Sequence, residues 1–160
     1  MGRKKLPQPT EYTLRAHSVC KLVYHAVFVI KYRRKAINSE MMTDMQEYCK
    51  YLIESKYEGK LIEFNGESDH VHILFELPPT ASPAIIVCNL KTQLSKRMKM
   101  KYEHYYKDKL WNGTFWSDSY FLTTAGGASV EILEQYIQQQ GIEKKKRKYV
   151  KKKANSSPTD

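Results

Sequence analysis

A chain of 160 residues that is 41% hydrophobic and 12% aromatic carries enough apolar surface for one packed domain and too much for a wholly disordered one. Its three cysteines, Cys20, Cys49 and Cys88, are too few and too scattered for a disulfide framework or a zinc knuckle. No apolar run approaches the roughly 20 residues of a membrane span, and Met1-Gly2-Arg3-Lys4-Lys5 leads into Leu6-Pro7-Gln8-Pro9 rather than an apolar signal core, so a cytoplasmic protein with no membrane partner is expected.

The formal charge of +10 favours a polyanionic partner, because lysine and arginine displace counterions condensed on nucleic-acid phosphates. Much of that charge lies at one end. Residues 144–160 form a basic tail, expected to be disordered, while the rest of the chain is only mildly basic.

Residues 1–18, with Pro7 and Pro9, read as a flexible leader, and residues 19–143 as the folded domain. Val19 to Ile30 is nearly continuously apolar, β-branched or aromatic and predicts a long central strand, closed by the basic cluster Lys31-Tyr32-Arg33-Arg34-Lys35. Ser39 is placed as the N-cap of a helix to about Tyr57, with Met41, Met45, Tyr48 and Leu52 on one face and Gly59 beyond its end. Leu61–Phe64 and His70–Leu77 read as an antiparallel hairpin joined through Asn65-Gly66-Glu67-Ser68-Asp69. After Ser82-Pro83, Ile86, Leu90, Leu94 and Met98 predict a helix from Ala84 to about Tyr102. An aromatic stretch containing Trp111, Phe115 and Trp116 precedes a short strand, Tyr120–Thr124, which Gly126-Gly127 breaks. Ser129 caps a last helix through about Gln140, with Glu131 in its first turn. The order β-α-β-β-α-β-α is that of an α+β, ferredoxin-like split β-α-β fold: an antiparallel sheet, helices on one face, and an added C-terminal helix.

Side chains two apart on a strand share a face, so His70 and His72 project together while Val71, Ile73, Phe75 and Leu77 turn to the core. Two such imidazoles make half of a metal site without fixing the ion; alternatively they are two histidines on an exposed strand face. Glu76 shares that face as a minor outer candidate, and the isolated His25 is read as structural. On the last helix Tyr136 and Gln140 are four apart, about 40° around the axis and one turn along it. A phenol there could attack beside an amide oxygen that adds a hard ligand. The competing reading is packing, since Tyr136 adjoins the stripe of Val130, Leu133 and Ile137 in a chain with 12 tyrosines.

Four blocks occur in order: Tyr24-His25 through Lys31-Tyr32-Arg33-Arg34-Lys35, Asp69-His70-Val71-His72-Ile73-Leu74, Trp116-Ser117-Asp118-Ser119-Tyr120-Phe121 leading to Gly126-Gly127, and Gln135-Tyr136-Ile137-Gln138-Gln139-Gln140. Over residues 22–141 the chain resembles the single-tyrosine HUH transposases, the TnpA-like enzymes of bacterial insertion sequences that move as single-stranded DNA. The resemblance implies that His70 and His72 are the histidine pair, Tyr136 the nucleophile and Gln140 the third ligand of Mg²⁺ or Mn²⁺. It further implies cleavage and rejoining of single-stranded DNA through a 5′-phosphotyrosine, binding of hairpins at the element ends, and a nucleoid-associated location in a prokaryotic cell. The expected assembly is a homodimer whose tyrosine helix completes the partner's histidine site, with Gly126-Gly127 as the joint. The sequence identifies no general base.

Phosphate contacts are expected from Arg33, Arg34 and Lys35 at the strand end and from Lys91, Lys96, Arg97, Lys99 and Lys101 on the second long helix; the plainer reading is a solvated basic face. Trp111, Phe115 and Trp116 are read as core rather than as base-stacking platforms, and the tail as a source of salt-sensitive, non-specific affinity. Two alternatives stand beside the transposase: a domesticated REP-associated tyrosine transposase with the same chemistry, and a non-catalytic ferredoxin-like nucleic-acid binding module. Against the module, no segment resembles the aromatic RNA-recognition signature.

Overall fold

The computed structural model describes residues 13–15, 18–110, 112–124, 135, 138 and 139. Its elements run β1 (Thr13–Arg15), β2 (Ser18–Cys20), β3 (Val23–Val29), α1 (Ser39–Tyr51), β4 (Lys60–Glu67), β5 (His70–Glu76), α2 (Pro83–Tyr106) and β6 (Phe121–Thr124). Among the described residues β1 pairs only with β2. The main sheet has the order β4-β5-β3-β6 with every neighbour antiparallel. Setting aside the small β1–β2 ribbon, this is the split β-α-β, ferredoxin-like topology expected from the element order. The last helix and Gly126-Gly127 lie outside the described residues.

The core lies between one face of the sheet and the two helices. Ala26, Phe28 and Ile30 from β3 and its end meet Val71, Ile73 and Phe75 of β5, under Met41, Met45 and Cys49 of α1 and Ile86, Val87, Leu90, Leu94 and Met98 of α2. The fully buried Phe28 and Phe75 each contribute roughly 1.5–3 kcal/mol of apolar burial. Phe115 and Trp116 close the same core, and the Trp116 Nε1–H donates to the Lys91 carbonyl at 3.1 Å. Trp111 is outside the described residues.

Several boundaries depart from the sequence reading for local reasons. The long strand from Val19 divides: Ser18–Cys20 turns back on Thr13–Arg15, inside the stretch read as leader, and β3 starts at Val23 after the exposed Leu22. The N-cap of α1 is Asn38, not Ser39, because the Asn38 side-chain oxygen accepts the Met41 N–H at 2.8 Å. The helix ends as a wider π turn over Leu52–Lys56. Glu58, not Gly59, takes the left-handed backbone conformation there (φ 54°). Gly59 is required for closeness instead: a Cβ there would stand 2.5 Å from the Glu76 carbonyl oxygen.

In the hairpin, β4 continues to Glu67 and only Ser68-Asp69 turn the chain. Ile62 is the extra residue of a bulge opposite β5, which lets both Leu61 and Phe64 face the core although they are three apart. α2 is a turn longer than expected, starting at Pro83 after Ser82, its length sustained by Tyr102 and Tyr106 on the buried stripe. No helix among the described residues is long and apolar enough to cross a membrane.

Candidate functional site

Directly paired residues of a sheet share a face, so the register decides what surrounds the histidine pair. His72 stands opposite Val27 of β3 and Asn65 of β4, and His70 opposite Val29 and Glu67. Both therefore project from the face turned away from the helices, on an inner strand of the sheet. The two rings lie 5.0 Å apart, nearly perpendicular. His70 is buried and His72 half-buried.

Each imidazole has one ring nitrogen engaged. His70 Nδ1 is 2.7 Å from Asp69 Oδ1, and the other Asp69 oxygen accepts from Arg33 Nε at 3.0 Å. The hydrogen bond with His70, joined by that from Arg33, holds the Asp69 carboxyl below its ordinary range despite burial. His72 Nδ1 is 3.1 Å from Nε2 of His25, with the rings 5.3 Å apart. Burial, reinforced by the neighbouring His70 and His25, pushes His72 down to about 4, and burial also lowers His25 against the pull of Glu63. His72 is thus neutral at physiological pH, the form in which an imidazole binds metals. Among the described residues, Nε2 of His70 and Nε2 of His72 are each left without a hydrogen-bond partner.

Glu67, Asp69 and His70 bring ligand atoms within 4.8 Å of one another, a group that could hold a metal ion. Both oxygens of Asp69 are already bonded to His70 and Arg33, which suits it better to orienting His70 than to ligation. The sequence places Glu67 in the turn and Asp69 both in the turn and at the head of the block that holds the two histidines, and assigns neither a role at the metal. The signal for Glu67 was its pairing with His70 across a two-residue turn, which required the true length of β4. Glu76 shares the histidines' face but stands at the other end of β5, opposite Val23 and Lys60. Tyr136 and Gln140 lie outside the described residues.

The basic residues divide by what their cationic heads touch. Lys31 reaches Asp118 at 2.8 Å and Arg33 reaches Asp69, across a tight turn in which Tyr32 and Arg33 both have left-handed φ (60° and 50°). The Lys91 ammonium donates to the carbonyls of Ser117, Asp118 and Ser119, tying α2 to the segment before β6. Arg97 grips Asp44 of α1 with two hydrogen bonds, at 3.0 and 2.7 Å, and Lys101 adds a third at 3.0 Å. The Arg34 Nε is buried without a hydrogen-bond partner among the described residues. Lys35, Lys96 and Lys99 are exposed, and the last two line a cavity of about 320 Å³ with Thr92, Ser95, Gly113 and Thr114.

Comparison with known proteins bears on what this arrangement is for. The family described as "Transposase IS200 like" matches residues 18–140. The chain is 33% identical over 127 residues to the transposase for insertion sequence element IS200 of Salmonella typhimurium, covering 78% of this chain and 80% of that one. It is 28% identical over 122 residues to the ISDra2 transposase TnpA of Deinococcus radiodurans, covering 76% and 86%. A crystal structure of a Deinococcus radiodurans protein described as a transposase superposes with a TM-score of 0.69 at 25% identity, covering 80% of this chain and 97% of that one.

Proposed function

The chain belongs to the family of IS200-like transposases, and on that premise we propose that it cleaves and rejoins single-stranded DNA with Tyr136 as nucleophile, beside a divalent cation held by His70, His72 and Gln140. The observation that carries this reading is the pair of imidazoles on one sheet face, each with Nδ1 engaged and with no partner at Nε2 among the described residues. Two nitrogen donors with room for oxygen ligands suit Mn²⁺, and Mg²⁺ where further oxygens join. The roles of Tyr136 and Gln140 rest on their spacing and on the resemblance of their segment to single-tyrosine transposases.

A cation bound there supplies Lewis-acid withdrawal of charge from a non-bridging phosphate oxygen. The Tyr136 oxygen forms a bond to phosphorus, the bond from phosphorus to the 3′-oxygen breaks, and that oxygen takes a proton from water to leave as a 3′-hydroxyl. The phenol proton, with an ordinary pKa near ~10, departs to water as the attack proceeds. The product is a 5′-phosphotyrosine and a free 3′-hydroxyl. Because the phosphodiester energy is stored, another 3′-hydroxyl can reverse the step without ATP.

The DNA is a strand with hairpin ends, read by two copies of the chain whose tyrosine helices complete each other's histidine sites about Gly126-Gly127. Lys35 and Lys96, with Lys99 in the same groove as Lys96, are exposed and meet phosphates, whereas Arg33, Lys91 and Arg97 are each engaged by a protein partner. Incubation with Mn²⁺ and a labelled single strand bearing the element's end tests the reading. A denaturant-resistant adduct should form, be lost in Tyr136→Phe and be severely reduced in His70→Ala; an adduct that persists in Tyr136→Phe refutes it.

A further inference from the structure

The geometry points to His25 as a positioning residue for the cation site: its Nε2 accepts the hydrogen bond from Nδ1–H of His72, fixing His72 in the tautomer whose Nε2 lone pair is open to a cation. This rests on the reading of His70 and His72 as metal ligands.

The contact follows from register. On β3, His25 stands opposite Leu74 and two residues before Val27, the partner of His72, so His25 and His72 are diagonal neighbours on one face. Such pairs are within reach of long side chains, and here the two nitrogens lie 3.1 Å apart. Only one proton can occupy that line between two neutral rings. If His25 donated it, His72 would carry its own proton on Nε2 and that nitrogen could not bind a cation. If His72 donates, Nε2 is bare and the half-buried N–H keeps an acceptor.

The two ligands are therefore held differently. His70 faces a carboxylate that can only accept, so its tautomer is fixed whatever else changes. His72 faces another imidazole, so its tautomer depends on which of two rings donates. Outer partners of metal-bound histidines typically govern affinity by ~10–100-fold.

Mn²⁺ titration of the full-length protein by calorimetry, with thermal melting alongside, tests the assignment. His25→Phe keeps an aromatic ring without an acceptor and should weaken Mn²⁺ binding at least tenfold with little change in melting. His25→Gln, whose amide oxygen can accept from His72, should restore most of the affinity. His72→Ala separates the two levels: Mn²⁺ affinity unchanged in His72→Ala removes the metal reading itself. Affinity lost in His72→Ala but unchanged in His25→Phe overturns the role of His25 alone. Should His25→Phe fail to fold, ¹⁵N imidazole shifts of the metal-free wild-type protein decide, with protonation of His72 at Nδ1 supporting the assignment and at Nε2 overturning it.

Discussion

Asp69 joins two side chains at the edge of the site, His70 and Arg33, and replacing it shows how much each depends on it. One carboxylate oxygen is 2.7 Å from His70 Nδ1 and the other 3.0 Å from Arg33 Nε. The bond to the buried imidazole contributes on the order of 1.5–3 kcal/mol. The bond to Arg33, whose side chain is 34% exposed, is screened by solvent and contributes about 0.5–1 kcal/mol. Asp69→Ala should therefore lower stability by about 2–4 kcal/mol and, by freeing His70 to rotate, weaken Mn²⁺ binding by ~10–100-fold. In Asp69→Asn one oxygen can still accept from His70, while the amide N–H₂ opposes the Arg33 donor. Most of the Mn²⁺ affinity should return while part of the stability stays lost. Calorimetric Mn²⁺ titration and urea denaturation of the two variants give both quantities. Equal losses of affinity in Asn and Ala would refute the orienting role and make Asp69 itself a ligand; wild-type affinity in Ala would refute both.

Two other substitutions probe the frame around the site. A Cβ at Gly66 would meet the His70 carbonyl oxygen and stand 2.7 Å from the Val71 Cα, both backbone atoms of β5. Gly66→Ala should cost about 1–3 kcal/mol by overpacking and slow adduct formation through the displaced His70, measured by melting and by the rate of covalent capture. For Asp44, burial alone would raise the carboxyl, but hydrogen bonds from Arg97 and Lys101 outweigh it and hold it below its ordinary value. A depressed carboxyl contributes stability that is present above its unfolded value of about 3.9 and lost as pH falls through the folded one. Arg97→Ala should accordingly unfold at lower urea than wild type near pH 7, by about 1–3 kcal/mol, with the gap closing as the pH approaches 3.

The periodicity of hydrophobic residues carried the fold: Met41 and Met45 on α1, Leu90 and Leu94 on α2, and the alternation of Val71, Ile73 and Phe75 are all core. The limits of elements were less legible where a tertiary contact decides them. Asn38 and Ser39 are both good N-caps by type, and only the bond to Met41 separates them. The bulge at Ile62 hides in an apolar run because nothing in Leu61-Ile62-Glu63-Phe64 says which residue is extra. The facing of His70 and His72 followed from their spacing, whereas the neighbours that orient them depend on register between strands. His25 is 47 residues from His72 and meets it only because β3 pairs with β5 in one alignment. Lysine and arginine were the least legible: composition places charge on a helix but does not tell Lys96, which is exposed, from Lys91, which holds three carbonyls.

The claim at the centre is that the phosphoryl group is captured by one phenol. Mass spectrometry of the proteolysed Mn²⁺-dependent adduct, after nuclease trimming of the DNA, tests it most directly. A residual nucleotide joined through its 5′-phosphate to the peptide containing Tyr136 is expected. The same mass found on Tyr120 or Tyr149, with the Tyr136 peptide unmodified, would contradict it.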